Sequence, residues 1–459
     1  MKTKPFRMFL VLGLLVTGCG RHLESPRLSD QKPARLANPL AIALAPHEGG
    51  GKLDAEIRRV QEQARRGKNP APALERLGWL FVAKGRESFD PGFYNLAEQC
   101  ALGLEAKQPH QPEALLLRGH ALQNLHRFKE AEPLARELVA QRGRAFDYGL
   151  LGDVLMEQGR LVEAVEAYQR MADLKPDLHA YTRAAHVRWL KGDLTGAIEM
   201  MQLAVQAASP RDPETSAWVC SRMAQYQLLA GDLDQAAQHC AAALEFQPEY
   251  APALLVRGRL LLAQGRNEEA AVALTRAATL NPVPEYQWVL VEASRAAGRD
   301  VRAMESLLKK GGATADPRTF APYLATCGED PGTAVRLSKA ELNTRTDVFT
   351  HDAVAWALAA AGHWEEASAE MRQALAEGTR DARLFLHAGI IASELAQPEE
   401  AKKWLRAAAG AKQMLLPSEQ AKLAKYETRE TIPAQLSVPE EANLKTERNK
   451  NNQIQKGRS

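Results

Sequence analysis

Small and apolar residues recur along the middle of this chain at spacings that select paired helices. From Ala145 the pattern runs Tyr148, Leu151-Gly152, Leu155, Gly159, Ala164, Tyr168 and Pro176, at places 4, 7–8, 11, 15, 20, 24 and 32. The larger residues fall on one face of a helix. The glycine at place 15 ends one helix, and the proline at place 32 stops a second. One alanine recurs most regularly, at Ala97, Ala131, Ala164, Ala197, Ala236, Ala270, Ala303, Ala334, Ala367 and Ala401, with gaps of 34, 33, 33, 39, 34, 33, 31, 33 and 34 residues. A period of 33–34 held over ten copies belongs to a two-helix repeat, not to a single globular core.

Other copies repeat the details. From Ala251 the chain carries Leu254, Arg257-Gly258, Leu261, Gly265, Ala270, Leu274, Ala277 and Pro282; from Ala217 it carries Gly231, Ala236, Ala243 and Pro248. Glycine or alanine at places 8 and 20 lets two helices cross closely, and the larger residues fill the space between neighbouring hairpins. A lone hairpin cannot bury its own apolar face, so stability must come from stacking. On these residues, over roughly 74–409, the chain resembles tetratricopeptide repeat (TPR) proteins. The resemblance implies an all-α fold, an α-solenoid superhelix of about ten helical hairpins.

The resemblance also implies an inner, concave wall formed by the first helix of each hairpin near places 2, 5, 9 and 12. Applied here, it puts His120, Asp153, His186, Trp189, Gln225, Arg259, Trp288, Glu292, Arg295 and Trp356 on or near that wall. Aromatic rings among polar groups suit extended peptide segments or a helix of a partner protein. A tryptophan at such a place also serves as core between hairpins.

Three copies are irregular. The first has extra residues, which the sequence places in a turn, GRESFDPG, 85–92. The fifth has an insertion at Ser209–Pro213. The eighth, about 315–347, has lost most large residues and reads as a bend. Residues 417–427 read as a capping helix.

The flanks set the domain organisation. MKTKPFR is a basic leader, and Met8 to Val16 is apolar but too short to span a bilayer. Leu15-Val16-Thr17-Gly18-Cys19-Gly20 resembles the bacterial lipobox, which implies lipid attachment to Cys19 and cleavage before it. Residues 1–18 are then a lipoprotein signal peptide, 19–51 a flexible tether, 52–427 the TPR solenoid and 428–459 a disordered polar tail. Gly20 in place of aspartate favours the outer membrane, facing the periplasm. The formal net charge of +3 is supplied by Lys2, Lys4 and Arg7 of the leader, so the rest of the chain is near neutral. That balance, with an export signal, excludes a phosphate-neutralising nucleic-acid binder of the RNA-reading repeat type.

The chain carries no H-E-x-x-H, G-x-S-x-G or G-x-G-x-x-G motif. Ser306 and Lys309 match S-x-x-K but have no K-T-G partner. The eleven histidines are scattered, and no C-x-x-C exists. The sequence therefore reads as no enzyme, with no cofactor and no metal. Cys220 and Cys240 fall on opposite helices of one hairpin, either as a disulfide or as two buried small residues. The leading function is a lipid-anchored scaffold or adaptor binding other proteins in the bacterial cell envelope. The alternatives are a non-catalytic regulatory subunit of an envelope protease or glycan hydrolase, or a secretion or pilus assembly factor.

Overall fold

The computed structural model describes residues 38–431. Cys19, the signal peptide and most of the polar tail lie outside the described residues. Ten helical hairpins follow one another. Hairpin 1 pairs Ala71–Ser88 with Gly92–Glu105, hairpin 2 Pro112–Asn124 with Phe128–Gln141, and hairpin 3 Ala145–Glu157 with Leu161–Leu174. Hairpin 4 pairs Leu178–Leu190 with Leu194–Gln206, hairpin 5 Pro213–Ala230 with Leu233–Phe246, and hairpin 6 Ala251–Ala263 with Asn267–Leu280. Hairpin 7 pairs Pro284–Ala296 with Arg302–Ala315, hairpin 8 Pro317–Cys327 with Pro331–Glu341, hairpin 9 Val348–Ala360 with Trp364–Leu375, and hairpin 10 Ala382–Glu394 with Pro398–Ala409. A closing helix, Pro417–Thr431, follows. Among the described residues there is no strand, and no helix is long and apolar enough to cross a membrane.

The periodic alanine does what its spacing implies in nine hairpins, where it is fully buried. Ala303 differs: it is exposed. In hairpin 7 the second helix starts at Arg302, four residues after the turn glycine Gly298, whereas in hairpin 6 it starts at Asn267, two after Gly265. The longer turn rotates the helix, and Leu308 and Gly312 face inward instead. The left-handed residue that ends the first helix is glycine in hairpins 3 to 9, but His126 (φ 59°) in hairpin 2 and Ala396 (φ 55°) in hairpin 10.

The long first copy is built differently from its reading as an extended turn. The helix runs on to Ser88, and Phe89 (φ 56°) makes the turn. Phe89 packs against the apolar cluster of Ala217, Tyr250 and Ala253 in hairpins 5 and 6. Arg86, on the added helical turn, pairs with Glu214 at 3.5 Å.

The last part of the expected tether is docked rather than free. Pro39–Ala43 is a short helix with Ala43 fully buried. Gln61 donates to the carbonyls of Ala43 (3.1 Å) and Ala45 (2.8 Å), and His47 Nε2 lies 2.9 Å from Asp54 Oδ1. Helix Lys52–Arg66 then leads into hairpin 1.

The superhelix is wound tightly enough for later hairpins to sit on earlier ones. A helix leaves its last carbonyls without intrahelical partners. Here they are met from one superhelical turn further on. Thr346 Oγ1, in the loop after hairpin 8, donates to the Gln158 carbonyl at the end of hairpin 3's first helix (2.5 Å, 188 residues away). Thr379 Oγ1, after hairpin 9, donates to the Leu190 carbonyl of hairpin 4 (2.6 Å, 189 residues away). Gln413 Nε2, after hairpin 10, donates to the Leu229 and Leu228 carbonyls of hairpin 5 (both 3.2 Å, 184 and 185 residues away). Gly159 and Gly192 make the approach possible: a Cβ on them would stand 2.2 Å from the Thr346 carbonyl oxygen and 2.5 Å from that of Gly378.

Ion pairs and rings complete the seam. Arg345 is buried, pairs with Glu157 at 2.8 Å and lies over the Phe128 ring at 5.1 Å. Lys191 pairs with Glu377. Glu292, 2 % exposed, accepts from Ser418 N (3.0 Å) and Oγ (2.8 Å), so its carboxylate caps the positive end of the closing helix. Hairpins 8–10 and the closing helix thus cover much of the inner wall that an open solenoid would leave free.

Candidate functional site

Where the two layers do not meet, a cavity of about 480 Å³ remains. Hairpins 3 to 7 form one wall, chiefly with the inner faces of their first helices. Hairpins 8 to 10 and Met414 form the other. The volume lies within the ~300–1,000 Å³ of small-molecule and cofactor sites.

Five of the ten wall residues expected from the sequence border this cavity: His186, Trp189, Gln225, Arg259 and Trp288. The tryptophans are also core. Trp189 is 6 % exposed and stacks on Phe349, and Trp288 is 2 % exposed and meets Tyr323 edge-on at 5.8 Å. Arg259 pairs with Glu285 at 3.2 Å. Burial pushes the His186 imidazole down to about 3, with Arg222 adding to the effect, so its ring is neutral.

The other five lie elsewhere. Glu292 is committed to Ser418, and Arg295 is exposed and paired with Glu305. Asp153 accepts from Tyr168 Oη (2.8 Å) and from both Arg183 nitrogens (2.8 and 2.5 Å). His120 packs beside Trp79, ring centroids 5.5 Å apart. Trp356 lies in the core of hairpins 9 and 10, donating to Thr326 Oγ1 (2.9 Å) and stacked on His387 at 4.1 Å.

The sequence reading missed the opposite wall. Arg318, Asp347, Asp352, Asp381 and Arg383 line it, and Arg222 joins the first wall. Asp347 and Asp381 are helix N-caps. Asp347 accepts from Phe349 N (2.9 Å) and Thr350 N (3.2 Å), and Asp381 from Arg383 N (2.9 Å) and Leu384 N (3.1 Å). Aspartate directly before a helical run is a legible cap, but nothing local shows that these caps face a cavity. Burial pushes the Asp381 carboxyl above its ordinary range, with Arg383 and the capping N–H groups opposing. Arg383 donates to Glu419 Oε1 (2.5 Å) and lies over the Trp288 ring (4.7 Å). Its burial is more than offset by Glu419, and it stays charged.

The cysteines offer no further chemistry here. Cys220 and Cys240 are both buried and free, and Cys240 Sγ donates to the Ala253 carbonyl at 3.3 Å. Among the described residues no group of three His, Cys, Asp or Glu side chains is placed to hold a metal ion.

Models of the tetratricopeptide repeat match residues 116–179, 150–213 and 227–305. No curated protein matches the chain. Among solved structures, a tetratricopeptide repeat protein from Parabacteroides merdae is similar, with 14 % identity over 56 % of this chain and 92 % of that one, and a TM-score of 0.40. A human IFIT1 dimer with m7Gppp-AAAA is similar with 15 % identity over 71 % and 77 %, TM-score 0.46. MamA from Desulfovibrio magneticus is similar with 23 % identity over 34 % and 86 %, TM-score 0.29.

Proposed function

The chain is a tetratricopeptide-repeat protein, and from that premise we propose that it is a lipid-anchored scaffold of the bacterial cell envelope that holds a segment of a partner protein in its central cavity. Repeats of this kind serve protein interaction and are generally not catalytic. The observation that carries the reading is the convergence of His186, Trp189, Gln225, Arg259 and Trp288, from four successive hairpins, on one cavity. Rings supply contact area, while the amide and guanidinium supply directed hydrogen bonds to a peptide. Anchoring rests on the lipobox ending in Cys19, and an outer-membrane position facing the periplasm rests on Gly20.

The test is crosslinking in intact cells that express the full chain with a C-terminal tag, followed by identification of what co-purifies. Cys19→Ser and Arg259→Ala versions run alongside. The expected result is one recurring envelope protein, lost with Arg259→Ala and reduced with Cys19→Ser. Recovery indifferent to Arg259→Ala would remove the cavity from the reading. Recovery and membrane fractionation indifferent to Cys19→Ser would remove the anchor.

A further inference from the structure

The seam between the layers has a direction. Loops that follow a hairpin rest on turns within hairpins one superhelical turn earlier: Thr346 on the Gln158 carbonyl, Thr379 on that of Leu190 and Gln413 on that of Leu229. Hairpin 1 fits the same order, since Phe89 at its turn packs on the cluster that holds Tyr250, in the loop between hairpins 5 and 6. The loops that precede hairpins 1 to 4, at 67–70, 106–111, 142–144 and 175–177, present the same edge. Among the described residues no earlier hairpin lies beneath them. The winding therefore leaves this edge uncovered at the N-terminal end of the superhelix.

What stands on the edge is basic and apolar. Lys68, Lys107, Arg144 and Lys175 project from the four loops, one from each, and all are exposed. The loops hold one carboxylate, Asp177, which lies 2.9 Å from Lys175 and caps the next helix by accepting from His179 N and Ala180 N. The flanking Glu105, Glu113 and Asp147 are held by Arg118 and Arg142, and Asp173 accepts from Gln169. Phe146 and Leu174 are 49 % and 56 % exposed, and Lys175 Nζ lies over the Phe146 ring at 5.8 Å. One exposed apolar residue is ordinary. A ring and an aliphatic chain framed by lysine and arginine have the make-up of an interfacial anchor, with the apolar groups at headgroup level and the cations on lipid phosphates.

The chain also enters the described fold here. Leu40 and Leu44 pack on Ala64, Leu74, Leu104 and Ala114, at the helix ends that flank loops 67–70 and 106–111. Leu40 is seated so closely that a Cβ on Gly103 would stand 2.6 Å from its Cδ2. Residues 20–37 separate Cys19 from Asn38, a reach of at most about 70 Å. We infer that this edge docks on a membrane surface that contains anionic phospholipid. Phe146 and Leu174 enter the headgroup layer, and Lys68, Lys107, Arg144 and Lys175 meet phosphates. The inference rests on the lipid-anchored reading only for what brings the edge to a bilayer. An anchored solenoid then stands on its base, with hairpins 8 to 10 turned away from the membrane.

Vesicle flotation tests it on the chain from Gly20 onward, which keeps every described residue and lacks the lipid-bearing cysteine. The vesicles are phosphatidylcholine alone, or equal parts phosphatidylcholine and phosphatidylglycerol. The expected result is binding to the mixed vesicles, weaker by about tenfold or more to phosphatidylcholine, and lost in high salt. Lys68→Glu, Lys107→Glu and Arg144→Glu together are expected to weaken binding by about a hundredfold. Phe146→Ser with Leu174→Ser is expected to weaken it by about tenfold. Thermal melts check that both variants fold. A matched reversal elsewhere, Arg302→Glu, Lys310→Glu and Lys425→Glu, is expected to change little. Equal losses from the two reversals would make the attraction one of overall charge and overturn the edge. Binding indifferent to Phe146 and Leu174 would overturn the bilayer and leave a basic surface for another polyanion, such as a nucleic acid. No flotation, while the full chain still fractionates with membranes through Cys19, overturns this inference and leaves the anchor standing. Edge-dependent flotation, with fractionation in cells indifferent to Cys19→Ser, removes the anchor and supports the docking.

Discussion

The indole of Trp189 lies on the ring of Phe349 with centroids 5.4 Å apart and planes inclined by 22°. One ring belongs to hairpin 4 and the other to hairpin 9, so the stack is a direct tie between the layers. Phe349→Ala removes a partly buried ring and opens a gap beside the indole. The expected cost is about 2 kcal/mol, with faster quenching of tryptophan emission by acrylamide. An unchanged melt and unchanged quenching would show that the layers are not held together at this point.

Two glycines separate the cost of a left-handed backbone from the cost of parting the layers. Gly159 (φ +72°) faces the Thr346 carbonyl, while Gly265 (φ +73°) has open space where a methyl group would stand. Alanine at either site costs about 1–2 kcal/mol for its conformation. Only at Gly159 does the new Cβ also collide with backbone. Gly159→Ala is expected to cost at least about 2 kcal/mol more than Gly265→Ala in a denaturant titration. Equal costs would mean that the seam yields freely there.

Arg345 is 5 % exposed and bonded to Glu157. Burial raises the Glu157 carboxyl, and Arg345 and Arg318 oppose it. Arg345→Met strands that carboxylate, with an expected loss of about 3 kcal/mol. The double variant with Glu157→Gln should recover part of it. A double-mutant cycle checks the pair, and strict additivity would dissolve it.

Two part-buried histidines set the acid limit. Burial, aided by nearby arginines, lowers His120 to about 4 and His186 to about 3. Each is neutral in the fold and takes a proton near pH 6.5 when unfolded. The unfolded chain therefore binds more protons below that point, and stability falls as pH drops from about 6.5 toward 4. Melts between pH 7.5 and 4.5 should show this slope. It should flatten in a variant carrying His120→Gln and His186→Gln, and a slope of the same size in that variant would assign it to other groups.

The hairpins were legible in the sequence because they are local. Ala131, Ala164 and Ala270 meet their partner helices within one period, so spacing alone finds them. Ala303 misled because two added turn residues rotate a helix without breaking the period. The 85–92 stretch misled because its residues continue a helix and send Phe89 toward hairpins 5 and 6, a contact with no local signal. The wall was legible for the residues that hairpins 4 to 7 point inward, Trp189 and Trp288 among them. The opposite wall was not. Asp381 and Arg318 reach the cavity only because small tilts accumulate over five hairpins, and no window of sequence contains both layers.

The near-constant offset of 184–189 residues between Thr346, Thr379 and Gln413 and their acceptor carbonyls makes copy number a property under constraint. Duplication of one repeat between hairpins 5 and 8 shifts every loop past its carbonyl by a whole unit and separates the two halves of the cavity. Solenoids usually tolerate gain and loss of internal units because each touches only its neighbours. This one is indexed like a gear with a set number of teeth, so its lineage is expected to vary in loops and at the N-terminal end while the count between those carbonyls and their donors stays the same.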